Sequence, residues 1–369
     1  MIEPRSPEEL ADALASAAGP GRTIQLCGAS TKNAMGGPVA PAETSVTTRA
    51  MKRVLQYEPS DLTISVEAGL PWAELTSLLA QNRQMVPLDP PFADEATVGG
   101  VIATNSSGPR RRLYGTARDV VIGMKFATLE GKLVQSGGMV VKNVAGLDMG
   151  KLMIGSFGTL AAIGVVNFKL APMPEQIRTF VFSYSSLEDA MATRDRILQS
   201  VLQPAAIDLV NPAAASRLGL SGYCVVLQVG GTEALLNRYG RELAGAERIE
   251  SDSMWTAIRE FVPTFLREYP DGAVTRLSTT LSGVRDALKS AAGPAISRAG
   301  TGVTYVYHMD GAKAAVGAHK GAIEFAPERA KASMTLWPDP GSDFPIMQKI
   351  KALFDPGHLL NRGRLYGRI

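Results

Sequence analysis

Ala96-Thr97-Val98-Gly99-Gly100-Val101-Ile102-Ala103-Thr104-Asn105-Ser106-Ser107-Gly108 contains almost nothing but small residues. Without bulky side chains, successive main-chain N–H groups can converge on an anion and form a nest around phosphate oxygens. Working outward, two further segments share this texture. Upstream, the apolar run Thr23-Ile24-Gln25-Leu26-Cys27 opens into Gly28-Ala29-Ser30-Thr31-Lys32-Asn33-Ala34-Met35-Gly36-Gly37. Downstream, Lys142-Asn143-Val144-Ala145-Gly146-Leu147-Asp148 leads through Gly155-Ser156-Phe157-Gly158-Thr159-Leu160 to Ile163-Gly164. A pyrophosphate needs many donors at once, and the hydroxyls of Ser30, Thr31, Ser106 and Ser107 add to the main chain's supply. Any one such loop reads first as a turn in a strand-rich lobe. Three within one lobe point to a nucleotide-like cofactor. No GxGxxG follows the first strand and no GxxxxGK[ST] occurs, which disfavours a Rossmann fold and a P-loop NTPase.

The rest of the composition narrows the class. At 369 residues the chain has room for two domains with real cores. Hydrophobic content of 45% with 20% charged residues describes a globular protein. A formal net charge of +3, with no like-charge block longer than Arg110-Arg111-Arg112, argues against a nucleic-acid binder. The three histidines, His308, His319 and His358, form no paired ligand motif, so no metal is expected. The absence of GxSxG disfavours a serine hydrolase. Cys27 and Cys224 sit in apolar runs and read as two buried thiols of a reducing cytosol. No secretory signal and no apolar span of membrane length is seen, which leads to a cytoplasmic expectation.

Ser6-Pro7-Glu8-Glu9 forms a capping box, and Leu10, Ala13, Leu14 and Ala17 continue it at helical spacing. Residues 62–68 alternate like a half-buried strand, and Trp72, Leu75, Leu78 and Leu79 stripe the next helix. After Pro172-Met173-Pro174 the texture changes. Strands near 178–184 and 223–229 alternate with amphipathic helices near 186–199, 232–244 and 283–292, which reads as a sheet with helices on one face. A helix around Met254-Trp255-Ile258-Phe261-Phe265 reads as core of this second lobe. Leu336-Trp337-Pro338-Asp339-Pro340-Gly341 breaks the pattern, and a closing helix precedes Asp355-Pro356-Gly357-His358-Leu359-Leu360-Asn361-Arg362-Gly363-Arg364.

The order of these motifs resembles the vanillyl-alcohol oxidase/p-cresol methylhydroxylase (PCMH-type) flavoprotein family. The match is carried by G-A-S-T-K-x-x-x-G-G, P-x-D-P-P with A-T-V-G-G-V-I-A-T-N-S-S-G, Gly115-x-x-Arg118-Asp119-Val120-Val121-x-Gly123, and L-x-x-G-S-x-G-T-L. It covers residues 1–174 and returns at 353–364. The resemblance implies an α+β protein with a PCMH-type FAD-binding domain over 1–174. A cap or substrate domain with a mainly antiparallel sheet would span 175–335, and a tail over 336–369 would pack back on the FAD domain. By the same resemblance Gly28, Ala29, Ser30, Thr31, Lys32, Met35 and Gly36 wrap the pyrophosphate. Thr97, Gly99, Gly100, Ala103, Asn105 and Ser107 follow the ribityl chain and ring, Gly158, Thr159 and Ile163 lie beside the adenosine half, and Asn361 approaches the ring. The first loop holds no histidine to tether flavin, so non-covalent FAD is expected.

The resemblance further implies oxidation of a small 2-hydroxy acid, with substrate groups in the second lobe. A substrate carboxylate suits an arginine's planar fork, and Arg276 is the candidate. His308 is the candidate base, although Ala299–His308 lacks the histidine pair of the family's hydroxy-acid dehydrogenases. The plainer reading of both residues is structural. The ending K-A-L-F-D-P-G-H-L-L-N-R-G-R looks most like the E-subunit branch of bacterial glycolate oxidases. That branch implies a second FAD subunit and an iron–sulfur subunit as partners, and attachment to the inner membrane through them. A flavin-bearing structural subunit without its own active site, and a stand-alone enzyme for another hydroxy acid or a sugar, remain open.

Overall fold

The computed structural model describes residues 1–140, 148–250, 252–367 and 369. It divides into two compact units: residues 1–107, 116–173 and 339–369 form one, and residues 108–115 with 174–338 form the other. The Lys142–Leu147 part of the third glycine-rich segment lies outside the described residues.

In the first unit, helix Pro7–Ala17 starts where the sequence dictates. The Ser6 hydroxyl accepts from the Glu9 amide and proline fills the first turn. The reciprocal arm differs from a capping box, since the Glu9 carboxylate takes the Arg5 amide at 2.8 Å. Leu10 and Leu14 are completely buried and share a cluster with Ile24, Val46, Leu359 and Leu360. Burying each such side chain stabilises by about 1.5–3 kcal/mol. Ile24–Cys27 pairs in parallel with Thr44–Thr47. A five-stranded antiparallel sheet follows, in the order Val54–Glu58, Thr63–Glu67, Ala162–Lys169, Val121–Ala127, Leu133–Gly137. Leu62 adopts φ 54 as a helical cap, so the strand begins one residue later than the alternation suggests. Helix Trp72–Ala80 lays Trp72, Leu75 and Leu79 into the main core.

The tail is stitched into this unit. Leu360 bridges Ile24 in parallel, continuing the Ile24–Cys27 pairing. Helix Phe344–Phe354 ends at an almost fully buried ion pair, with Lys351 Nζ donating to Asp355 Oδ2 at 2.6 Å and to the Thr159 carbonyl at 2.7 Å. Asp355 accepts in turn from the Leu359 and Leu360 amides. This closed network fixes the residues that follow it.

The second unit is built on an eight-stranded antiparallel sheet. Its order is Glu247–Ile249, Gln176–Tyr184, Tyr223–Gly231, Ala206–Val210, Ala295–Arg298, Val303–His308, Ala273–Ser278, Lys320–Phe325. Helices Leu187–Gln199, Glu233–Glu242 and Val284–Lys289 cover one face through Met191, Leu236 and Val284, packed on Phe180, Leu209 and Leu227. The expectation of helices on one face only needs correction. Ser253–Arg259 and Phe261–Glu268 lie on the other face, where Trp255 donates to the Thr179 hydroxyl and Phe261 meets Tyr307 at 4.7 Å. Their apolar residues are core, as the sequence suggests: Trp255, Ile258, Phe261 and Phe265 are all buried. Amphipathic periodicity shows that a helix buries one side, but it cannot say against which face of a sheet.

Candidate functional site

In the first unit an open cavity with about 890 Å³ of empty space is walled by the glycine-rich loops. Gly28, Ala29, Ser30, Thr31 and Lys32 form one wall, and Thr97, Gly99, Gly100, Ala103 and Thr104 a second. Gly158, Ala161, Ala162 and Ile163 form a third, and Asn361 and Arg364 come in from the tail. Ser30 adopts φ 60, and the amides of Ala29, Ser30 and Thr31 meet no acceptor among the described residues. Donor-rich, side-chain-poor walls are what a pyrophosphate requires. A Cβ at Gly28 would lie 2.2 Å from Thr97 Oγ1, which caps its own short helix through the Gly100 amide. The cradle therefore has no room for a larger residue there.

The glycines serve more than one purpose. A Cβ at Gly37 would stand 2.2 Å from the Gly363 carbonyl, and one at Gly158 would stand 2.7 Å from the Asn361 amide nitrogen. At these two positions the missing side chain admits the tail.

Twelve of the cofactor residues expected from the sequence line the cavity: Gly28, Ala29, Ser30, Thr31, Lys32, Thr97, Gly99, Gly100, Ala103, Gly158, Ile163 and Asn361. Met35, Gly36, Asn105, Ser107 and Thr159 are not in its wall. Met35 is buried behind the loop and Gly36 turns the chain at φ 71. Asn105 is held at φ 48 at the end of its segment. Thr159 is wholly buried, bonding the Ser156 carbonyl through its hydroxyl and receiving Lys351 on its own carbonyl. Asn361 departs from its expected role at the ring. Its two amide hydrogens go to the Leu26 and Phe157 carbonyls, and its oxygen accepts from the Leu26 amide, so it splices the tail to the first strand. Cys224 is buried as expected, whereas Cys27 is partly exposed and belongs to the cavity wall. Sequence reading passed over Arg364, whose guanidinium donates to the carbonyls of Lys32, Asn33 and Gly37. Its only sequence signal is its place in the closing motif.

In the second unit, cross-strand register decides which side chains meet. Arg276 stands opposite Tyr305 and His308 opposite Ala273, and alternate residues point to opposite faces. Arg276 and His308 therefore project to opposite sides of the sheet, and the two proposed catalytic residues are not brought together. His308 bonds the Thr275 hydroxyl through Nε2 at 3.0 Å, and burial holds its imidazole below the usual value. Around Arg276 lies a polar cluster that the sequence did not reveal. Burial works against the guanidinium charge, but Tyr305 and Glu324 more than offset it. Burial pushes the Glu324 carboxyl above the carboxylate range against the opposing pull of Arg276, and raises the Tyr305 hydroxyl as well. On the same face Arg298 pairs with buried Asp208 and lies 5.5 Å from the Tyr305 ring. These groups come from five strands between Ala206 and Phe325.

Comparison with known proteins agrees with the first unit's geometry. Residues 1–137 match the family model described as FAD binding domain. The first unit thus carries a match to an FAD-binding domain, and FAD is its cofactor. The chain is 32% identical over 243 residues to the glycolate oxidase subunit GlcE of Escherichia coli, covering 64% of this chain and 63% of that protein. It is 31% identical over 161 residues to the glycolate oxidase subunit GlcD of Bacillus subtilis, covering 44% and 34%. It is also 31% identical over 171 residues to the mitochondrial D-lactate dehydrogenase [cytochrome] of Arabidopsis thaliana, covering 46% and 30%. These alignments span less than two thirds of the length of each relative. In fold, alkyldihydroxyacetonephosphate synthase superposes with a TM-score of 0.72 at 18% identity, over 98% of this chain and 75% of that one.

Proposed function

We propose that this chain is the FAD-bearing subunit of a hydroxy-acid dehydrogenase assembly of the glycolate oxidase type, oxidising glycolate or a similar small 2-hydroxy acid. The observation that carries this reading is the coexistence, in one chain resembling GlcE, of a flavin cradle and a separate Arg276–Tyr305–Glu324 cluster. Bound FAD supplies a two-electron acceptor. The loop Gly28–Lys32 would hold the pyrophosphate, and Thr97, Gly99, Gly100 and Ala103 would leave space for the flavin half. With no histidine in the loop and the Cys27 thiol directed at the Val46 carbonyl, attachment is non-covalent.

Arg276 presents a fixed charge with a planar fork, the group that orients a carboxylate with two parallel bonds. Glu324 retains a proton to higher pH than an ordinary carboxyl and sits within electrostatic reach of Arg276. It is a better candidate than His308 for holding or releasing a proton near a bound acid. Partner subunits, a second flavoprotein and an iron–sulfur protein, would take the electrons onward. Among the described residues no helix is long and apolar enough to cross a membrane, so attachment to one would run through those partners.

A second reading, a flavin-bearing subunit that supports a catalytic partner, is favoured by the single histidine of Ala299–His308 and its position on the far face. One experiment separates the two. The full chain is purified alone, its visible spectrum is recorded, denaturation is used to test for flavin release, and glycolate is added anaerobically to the native protein. Bleaching of the flavin supports an active subunit. Release of FAD without bleaching, even after partner subunits restore turnover through their own flavin, sinks the catalytic reading. A protein that takes up no FAD sinks both.

A further inference from the structure

Arg364 is remote in sequence from the first loop and carries no expected role, yet it touches that loop more than any other tail residue. Its Nη1 donates to the carbonyls of Asn33 at 2.9 Å and Gly37 at 3.1 Å, and its Nη2 to that of Lys32 at 3.3 Å. Its own carbonyl receives the Gly37 amide at 2.9 Å. The side chain is 8% exposed, its guanidinium lies 5.6 Å from the Phe157 ring, and it forms part of the cavity wall.

Two consequences follow from elementary electrostatics. Carbonyl oxygens that faced the cavity would repel an anion, and three of those in this loop are instead turned onto Arg364. The guanidinium also places a permanent positive charge behind the nest, in surroundings where water screens it poorly. We infer that Arg364 is a positioning residue for the cofactor's pyrophosphate: it holds the Gly28–Gly37 loop with its amides toward the cavity, and so couples docking of the tail to flavin binding. This rests on the reading that the loop receives the pyrophosphate. The fork matters as much as the charge, because a lysine gathers its donors on one nitrogen and cannot span carbonyls that Nη1 and Nη2 reach separately.

The test uses the full apo chain and three ligands in calorimetric titrations: FAD, ADP and riboflavin. Arg364→Gln is expected to weaken FAD and ADP by about tenfold or more, a change of about 1.4 kcal/mol per decade, and riboflavin by less than about twofold. Arg364→Lys should recover only part of the loss. Hydrogen exchange supplies the second measurement, since Arg364→Gln should speed exchange across residues 29–37 and leave helix Phe344–Phe354 protected. Equal weakening of all three ligands with general loss of protection would make Arg364 a structural anchor only and overturn the inference. Unchanged affinity for ADP would overturn it too. In the wild-type chain, ADP should slow exchange at Ala29–Thr31; failure there sinks the loop reading itself, whereas protection there with an indifferent Arg364→Gln sinks only the role of Arg364.

Discussion

The two units gather their polar groups by different means. The first builds its cavity from main chain, with twelve of the expected residues brought together from three short segments and the tail. The second builds a polar cluster from side chains on five strands, and no two of Asp208, Arg276, Arg298, Tyr305 and Glu324 are closer than seven positions in sequence. A main-chain site depends on what is absent, so small residues in a row already announce it. A side-chain site depends on register, which sets both partner and face at once. The difference teaches which kind of site can be found before a fold is known.

That contrast can be broken experimentally, and the largest effect should come from the tail. Lys351→Ala leaves Asp355 buried without its cation, and the chain is expected to lose about 3–5 kcal/mol, read from denaturant unfolding of the apo protein. If the loss is negligible, the tail is not integral to the first unit. Gly28→Val should come next. Overpacking against Thr97 should cost about 1–3 kcal/mol in unfolding of the apo chain, and the displaced cavity wall should loosen FAD by roughly tenfold or more. Retention of full affinity would mean the cradle lies elsewhere.

Arg276→Lys sharpens the comparison from the other side. FAD affinity should stay within about twofold, while KM for the hydroxy acid rises about tenfold, because the bidentate fork is lost. A fall in FAD affinity with unchanged KM would reverse the assignment of the two sites. The smallest effect concerns His308. Burial lowers its folded-state pKa, so just below the ordinary value of about 6.5 the unfolded chain binds more protons than the folded one. Its contribution is complete above that value and is lost as pH falls toward the folded pKa. His308→Gln should therefore flatten the acid limb of the stability–pH curve by up to one proton, while leaving kcat/KM for the hydroxy acid unchanged at neutral pH. A collapse of turnover with an unaltered limb would return His308 to catalysis.

Much of the first unit was legible in advance, and the misses have physical causes. Gly37 closes the first small-residue loop and Gly158 was expected beside the adenosine half, yet at both the missing side chain also makes room for the tail, and a glycine records only that a side chain is unwelcome. Thr159 belonged to the right motif, but its hydroxyl is spent on the Ser156 carbonyl and its own carbonyl on Lys351. Asn361 was placed near the cavity correctly, but its amide is committed to Leu26 and Phe157. In the second unit Arg276 was singled out by its strand context. Glu324 and Tyr305 were not, since nothing local marks a carboxyl or a phenol as neighbour to an arginine on another strand.

The sequence by itself determined the strand-rich first lobe, the small-residue loops, the second lobe's alternation of strands and helices, and the motif order that leads to FAD. These follow from local preference and spacing, which the chain carries whether or not it is folded. Only the tertiary structure decided that the tail's Arg364 braces the first loop from more than three hundred residues away, that helices cover both faces of the second sheet, and that Arg276 and His308 part company. Each of these depends on which distant segments pair and in what register, a property of the packed chain as a whole.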